Sequence, residues 1–173
     1  MQSERLCLSH WVYVPARGAV RERDDWAVRV LAMKGTASRV TVAEFREVLK
    51  DGMPSAAAMA FEITAMTFGE VVLRSETGAE SLRPGGTVSG PTLFALADLA
   101  MYAAVMSAVG RVPLAVTTDA TVHFLRKPRA GGLVTRAKLL KVGKRLVVGD
   151  VVIAAEGNEG EAVMHAVMTY AVP

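Results

Sequence analysis

An α+β fold, an antiparallel sheet with one long helix across one face, is the architecture the sequence predicts. Three observations carry it. Residues 91–109 form an almost wholly apolar stretch long enough for a nineteen-residue helix. Strand patterns flank that stretch on both sides. The last strands are joined by links too short for a parallel return, which needs a crossover of about a dozen residues or more.

The 173 residues, 51% hydrophobic and 21% charged, match one core-forming domain. Cys7, the single cysteine, allows neither an intrachain disulfide nor a cysteine-based zinc site. The expectation is a cytoplasmic protein with no resident metal or cofactor. A net charge of +3 with 6% aromatic residues offers no stacking platform for nucleic acid and suits a small polyanionic ligand better. Residues 1–40 read as an N-terminal appendage to a domain at 41–173, with arginines and acids around two short apolar patches. No run there is apolar enough for the central region of a signal peptide, and its acids argue against a mitochondrial presequence.

Along the domain, Thr41-Val42-Ala43-Glu44 is a capping box. The short helix it opens is expected to end at Gly52 in a left-handed cap, before Pro54. Residues 58–75 alternate as a hairpin broken at Phe68-Gly69-Glu70, and residues 77–90, rich in glycine, read as loop. Residues 91–109 would make a helix of roughly 28 Å, with Pro91 at its first position and Gly110 just past its end. A helix apolar all round spans a membrane or fills a core. Asp98 near its middle, and strands on either side, favour the core. Four strands follow, at 115–125, 133–142, 145–156 and 161–172, and short links make successive strands antiparallel neighbours.

The run Ser89-Gly90-Pro91-Thr92-Leu93-Phe94-Ala95-Leu96-Ala97-Asp98, the strand from Ala115 to Pro128 and the turn Val142-Gly143-Lys144-Arg145 together resemble the hotdog-fold acyl-CoA thioesterases of the phenylacetate-degradation (PaaI) type. The resemblance runs from about Thr41 to the C-terminus. It implies a sheet wrapped around one central helix, hydrolysis of an acyl-CoA thioester, and paired domains with the site between them. In that family an acid in the second or third turn of the helix acts on the thioester, and Asp98 matches it. Gly90 matches the first of two helix-opening glycines. Ser89 stands in place of the histidine before them, Pro91 in place of the second glycine, and Arg83 where relatives often carry an asparagine. Thr117 falls where some relatives have a serine that positions the attacking water. The same fold also serves non-catalytic acyl-CoA or lipid binders and, with a histidine–acid pair, dehydratases.

The residues themselves argue for the same chemistry. An attacked thioester carbonyl becomes an oxyanion, and the amides of a helix start supply donors and a favourable dipole, with Gly90 leaving the approach open. Asp98 is the helix's one strongly ionisable side chain, a general base or nucleophile, with the weakly acidic Tyr102 a turn away. Arg126, Lys127 and Arg129 in one loop, and Lys144 and Arg145 in another, are expected to receive the phosphates of coenzyme A. His10, His123 and His165 are widely spaced, and the last two fall in strands as satisfied or solvent-facing residues. Met101, Met106, Met164 and Met168 read as core and pocket lining. A sheet covers one face of a helix, so the rest of this one is expected to meet a second copy, as a homodimer or a dimer of dimers. Arg83 is expected close to Asp98, in the same chain or across that interface.

Overall fold

A computed structural model of the chain describes residues 37–173. Most of the expected appendage, together with Cys7 and His10, lies outside the described residues.

Helix α1 (Val42–Gly52) begins with the capping box the sequence implies: Thr41 Oγ1 accepts from Glu44 N–H, and Glu44 accepts from Thr41 N–H. Its end differs from expectation. Gly52 stays within the helix and Met53 is the cap residue, with φ −139°, so no left-handed glycine is used. Pro54 then starts a single further turn, α2 (Pro54–Ala57), where its missing N–H costs nothing.

Strands β1 (Phe61–Thr67) and β2 (Glu70–Thr77) form the expected hairpin, turned at Phe68-Gly69 with Gly69 at φ 72°. The stretch read as loop is more ordered than its glycines suggested. It holds a 3₁₀ turn, Ala79–Ser81, and a two-residue hairpin of β3 (Leu82–Arg83) and β4 (Thr87–Val88). Its turn uses positive φ at Gly85 and Gly86, so the glycines serve a tight reversal rather than disorder.

Helix α3 (Gly90–Val109) starts one residue earlier than expected, which puts Pro91 at its second position. Ser89 is the N-cap, accepting from Thr92 N–H at 3.3 Å, and Gly110 closes the other end at φ 107°. Leu93 and every residue from Leu96 to Ala108 except Asp98 are buried, so this is the core helix. Ser107, polar inside that core, is satisfied: its hydroxyl donates to Ala104 O and accepts from Gly69 N–H at 2.8 Å.

Strands β5 (Val116–Phe124), β6 (Gly131–Val142), β7 (Leu146–Ala155) and β8 (Ala162–Ala171) complete an antiparallel sheet of order β1-β2-β6-β7-β8-β5. Here the inference from short links fails at one place. β5 does not pair with β6 but with β8, at the far edge. The intervening residues 125–130, at about 3.4 Å each, reach around the ends of β8 and β7, so a short link did not require adjacency.

The helix lies against inward residues of β2, β6, β7 and β8, among them Leu73, Ala137, Val151 and Met168. Gly149 of β7 makes room for it. A Cβ there would come within 2.5 Å of Met101 Sδ. The opposite face of its C-terminal half is covered by this same chain. Val40, Phe45, Val48 and Leu49 are buried in the same core, with the Phe45 ring 5.7 Å from that of Tyr102. The expectation that all remaining apolar helix surface needs a second copy is therefore corrected. Only the first two turns, with Pro91 and Phe94 exposed and Ala95 and Asp98 half-buried, lack a cover.

Candidate active site

Asp98 stands where the covered and open parts of α3 meet. Thr117 on β5 and Tyr170 on β8 are cross-strand partners, so both side chains leave the sheet toward the helix together. Both hydroxyls donate to the same carboxylate oxygen: Thr117 Oγ1 and Tyr170 Oη each lie 2.6 Å from Asp98 Oδ1. Tyr170 Oη is also 3.2 Å from the Asp98 main-chain oxygen. Two donors on one atom fix the carboxylate plane and leave Oδ2 without a partner among the described residues. Burial, and then the Asp98 carboxylate beside it, push the Tyr170 phenol far above the ordinary tyrosine range, so it keeps its proton.

Tyr170 is the site residue sequence reasoning missed. The signal was present, because the inward row of β8 reads Met164, Ala166, Met168, Tyr170, and only the last has a polar tip to satisfy. Its ring stacks on Tyr102 at 6.1 Å. Tyr102 in turn donates to Pro113 O at 3.2 Å, and burial raises its phenol as well. Tyr102 is thus a wall whose hydroxyl is turned away from the acid.

A crevice of about 270 Å³ opens beside Asp98, lined by Met53, Ala56, Met59, Ala95, Leu99 and Tyr102 among others. The methionines at the site are therefore Met53 and Met59. Met101, Met106, Met164 and Met168 are wholly buried core.

Gly90 lies elsewhere. With Arg83, Phe124, Arg126 and Lys127 it lines a second crevice, of about 240 Å³, at the start of α3. Its N–H has no acceptor among the described residues, and the Phe124 ring lies 3.3 Å from where a Cβ would be. Three expected cations are thus gathered around a helix N-terminus, a favourable place for an anion. Arg126 is partly engaged, by Ala162 O at 2.8 Å and by Glu161 at 3.4 Å. Ser89 commits its hydroxyl to Thr92, as the helix cap. Pro91 faces a third crevice, described below.

Several of the expected site residues do not meet within one chain. Gly90 and Asp98 are eight residues apart on the helix, roughly 12 Å, and face different crevices. Arg83 makes no hydrogen bond or ion pair with Asp98 and sits at the Gly90 crevice instead. Arg129 contributes a backbone bridge to Thr87 and does not line that crevice. The two basic loops lie at opposite ends of the sheet. Lys144 and Arg145 precede Leu146, which aligns through Ala171 with the start of β5, whereas Arg126 and Lys127 follow its end, roughly 27 Å away over eight residues. His123 and His165 stack on each other at 6.2 Å, with His165 hydrogen-bonded to Asp150, in rows that alternate with the helix-facing ones. They play no part around Asp98.

The model of the thioesterase superfamily matches residues 85–162, which span β4, the central helix and the sheet up to β8. A putative thioesterase from Silicibacter sp. TM1040 is 41% identical, with a TM-score of 0.70 over 81% of this chain and 96% of that one. The chain belongs to the thioesterase superfamily. A variant of the phenylacetic acid degradation protein PaaI from Thermus thermophilus is 27% identical, with a TM-score of 0.61 over 69% of this chain and 99% of that one. A hypothetical thioesterase from Streptococcus pneumoniae, solved with coenzyme A, shares the fold at 24% identity and a TM-score of 0.62, over 77% and 97% of the two chains. No curated relative matches. The sheet curled around α3 is therefore the hotdog fold, and the resemblance read from the Ser89–Asp98 run and the Gly143-Lys144 turn is borne out for the family.

Proposed function

We propose that this thioesterase-superfamily protein hydrolyses an acyl-CoA, with Asp98 as general base. The observation that carries the reading is the Asp98 carboxylate, held through Oδ1 by Thr117 and Tyr170 while Oδ2 faces an apolar crevice. Oδ2 takes a proton from water as the oxygen attacks the thioester carbonyl carbon. The carbonyl electrons become an oxyanion, and their return expels the CoA thiolate, which recovers a proton from Asp98. A carboxylic acid and CoA leave, with no metal or cofactor in the cycle.

The oxyanion donor comes from a second copy. A base and a donor roughly 12 Å apart on one helix cannot serve one carbonyl, so the Gly90 amide of the same chain is excluded. β5 is an open edge with Val116, Phe124 and Leu125 about half exposed. A two-fold pairing of β5 with β5 runs antiparallel, so the start of one strand meets the end of the other. Asp98 and Thr117 belong to the start. Gly90, packed against Phe124, belongs to the end. The pairing brings the partner subunit's Gly90 toward Asp98, and with it the partner subunit's Arg83. It also carries Lys144 and Arg145 toward the partner subunit's Arg126 and Lys127, uniting two basic loops that are separate in one chain. That cluster suits the phosphates of coenzyme A.

A panel of acyl-CoA substrates followed by release of free thiol tests the proposal. At least one is hydrolysed, and Asp98→Asn, which keeps size and hydrogen bonding, lowers turnover by about 10² or more. Full activity in the variant overturns the role of Asp98. Binding without turnover in the unmodified protein points to a non-catalytic acyl-CoA binder instead.

A further inference from the structure

The third crevice, of about 470 Å³, runs from Pro91 and Thr92 along the open side of α3 to Ala95 and Leu96, with Ser75, Glu76 and Thr77 of β2 and Glu80 and Ser81 of the 3₁₀ turn on its other wall. It adjoins the crevice beside Asp98, because Met59 and Ala95 line both.

We propose that the two crevices form one groove that holds the acyl chain, narrowed between Met59 and Ala95, and that these two residues set the length accepted. The inference rests on the acyl-CoA reading. Asp98 lines the near chamber, so an acyl carbon bonded to the attacked carbonyl begins there, among Met53, Ala56, Met59 and Leu99. Tyr102, with its ring stacked on Tyr170 and its hydroxyl held by Pro113, closes the groove toward the C-terminal end of α3. The adjoining crevice extends past Ala95 toward Pro91, roughly 10 Å along the helix axis, the reach of a medium-length unbranched chain. Ala95 is the small residue that opens this path between the turns of Asp98 and Pro91. Met59 faces it as an unbranched side chain that adapts to an apolar guest. A short acyl group fills the near chamber alone, whereas a longer one must pass the constriction.

Binding of S-alkyl thioethers of coenzyme A, which have no carbonyl to hydrolyse, tests this independently of turnover. By calorimetry the unmodified protein binds octyl-CoA more tightly than butyl-CoA, by up to about fourfold per added methylene that finds apolar contact. Ala95→Leu narrows the constriction from the helix and Met59→Phe narrows it from the opposite wall. Each is expected to weaken octyl-CoA at least tenfold more than it weakens butyl-CoA. Met59 is half-buried in the bend before β1, so its variant remains informative if the helix variant fails to fold. Equal affinity for the two thioethers in the unmodified protein, or an unchanged ratio in Met59→Phe, overturns the inference and leaves hydrolysis standing. Length-dependent binding that these variants abolish, in a protein that releases no thiol from any acyl-CoA, supports the groove and overturns hydrolysis.

Discussion

Asp98 illustrates how much a single half-buried acid depends on its neighbours. Thr117 and Tyr170 both bind Oδ1, so removing either leaves the acid held by one donor and freer to turn. Hydrogen bonds to a charged group contribute roughly 1.5–3 kcal/mol, so Thr117→Val and Tyr170→Phe should each lower kcat by about 10- to 100-fold. KM should change little, because neither side chain is asked to bind ground-state substrate. Steady-state kinetics on the best acyl-CoA separates this from a packing role, which would lower stability and leave kcat intact. A second consequence concerns pH. Below about 10, the ordinary tyrosine pKa, folded and unfolded phenols alike keep their protons and stability is undiminished. Above it the unfolded chain releases protons that native Tyr170 and Tyr102 retain, so stability falls as pH rises. Of the chain's three tyrosines, these two should show phenolate absorbance only as the protein unfolds, and reversible ionisation of all three in the native state would contradict their burial. Asp98 was legible in the sequence because a charge on an apolar helix demands an explanation. Tyr170 was not, because which inward residue of one strand meets which turn of a helix depends on the strand order.

At the scale of elements, local signals were the most legible. The capping box at Thr41, the Phe68-Gly69 turn and the Gly110 stop are each settled by neighbours within a few residues, and each formed as expected. Long-range pairing was not so readable. The placement of β5 beside β8 rests on which edge leaves room for α3 and its covering helix, and no local pattern encodes that. The glycine of β7 belongs to the same class. Gly149 reads as a weakness in a strand, yet it makes room for the Met101 side chain of the helix. Gly149→Ala should lower stability by about 1–3 kcal/mol through overpacking against Met101, measured as a shift in denaturation midpoint at constant slope. A neutral result would mean that Met101 finds another rotamer at no cost.

For the whole molecule, the open β5 edge and the roughly 12 Å between Asp98 and Gly90 lead to one expectation, assembly into at least a dimer. Sedimentation at micromolar concentration should show two or four copies and no dominant monomer. A purely monomeric protein with full thioesterase activity would sink both the pairing and the shared site. The sequence pointed to assembly for a partly mistaken reason: α1 covers much of the helix surface that seemed to need a partner, and the open β5 edge and the Asp98–Gly90 separation point to one instead.

The strand order also bears on how the chain is made. β5 emerges from the ribosome well before β8, the strand it must pair with. Until residues 162–171 are available, Thr117 has no β8 beside it and Asp98 lacks its second donor, Tyr170. Pairings so distant along the chain close late and slowly. During synthesis the carboxylate is therefore fully restrained only after β6, β7 and β8 have all been made, so the site is completed later than the helix that carries it.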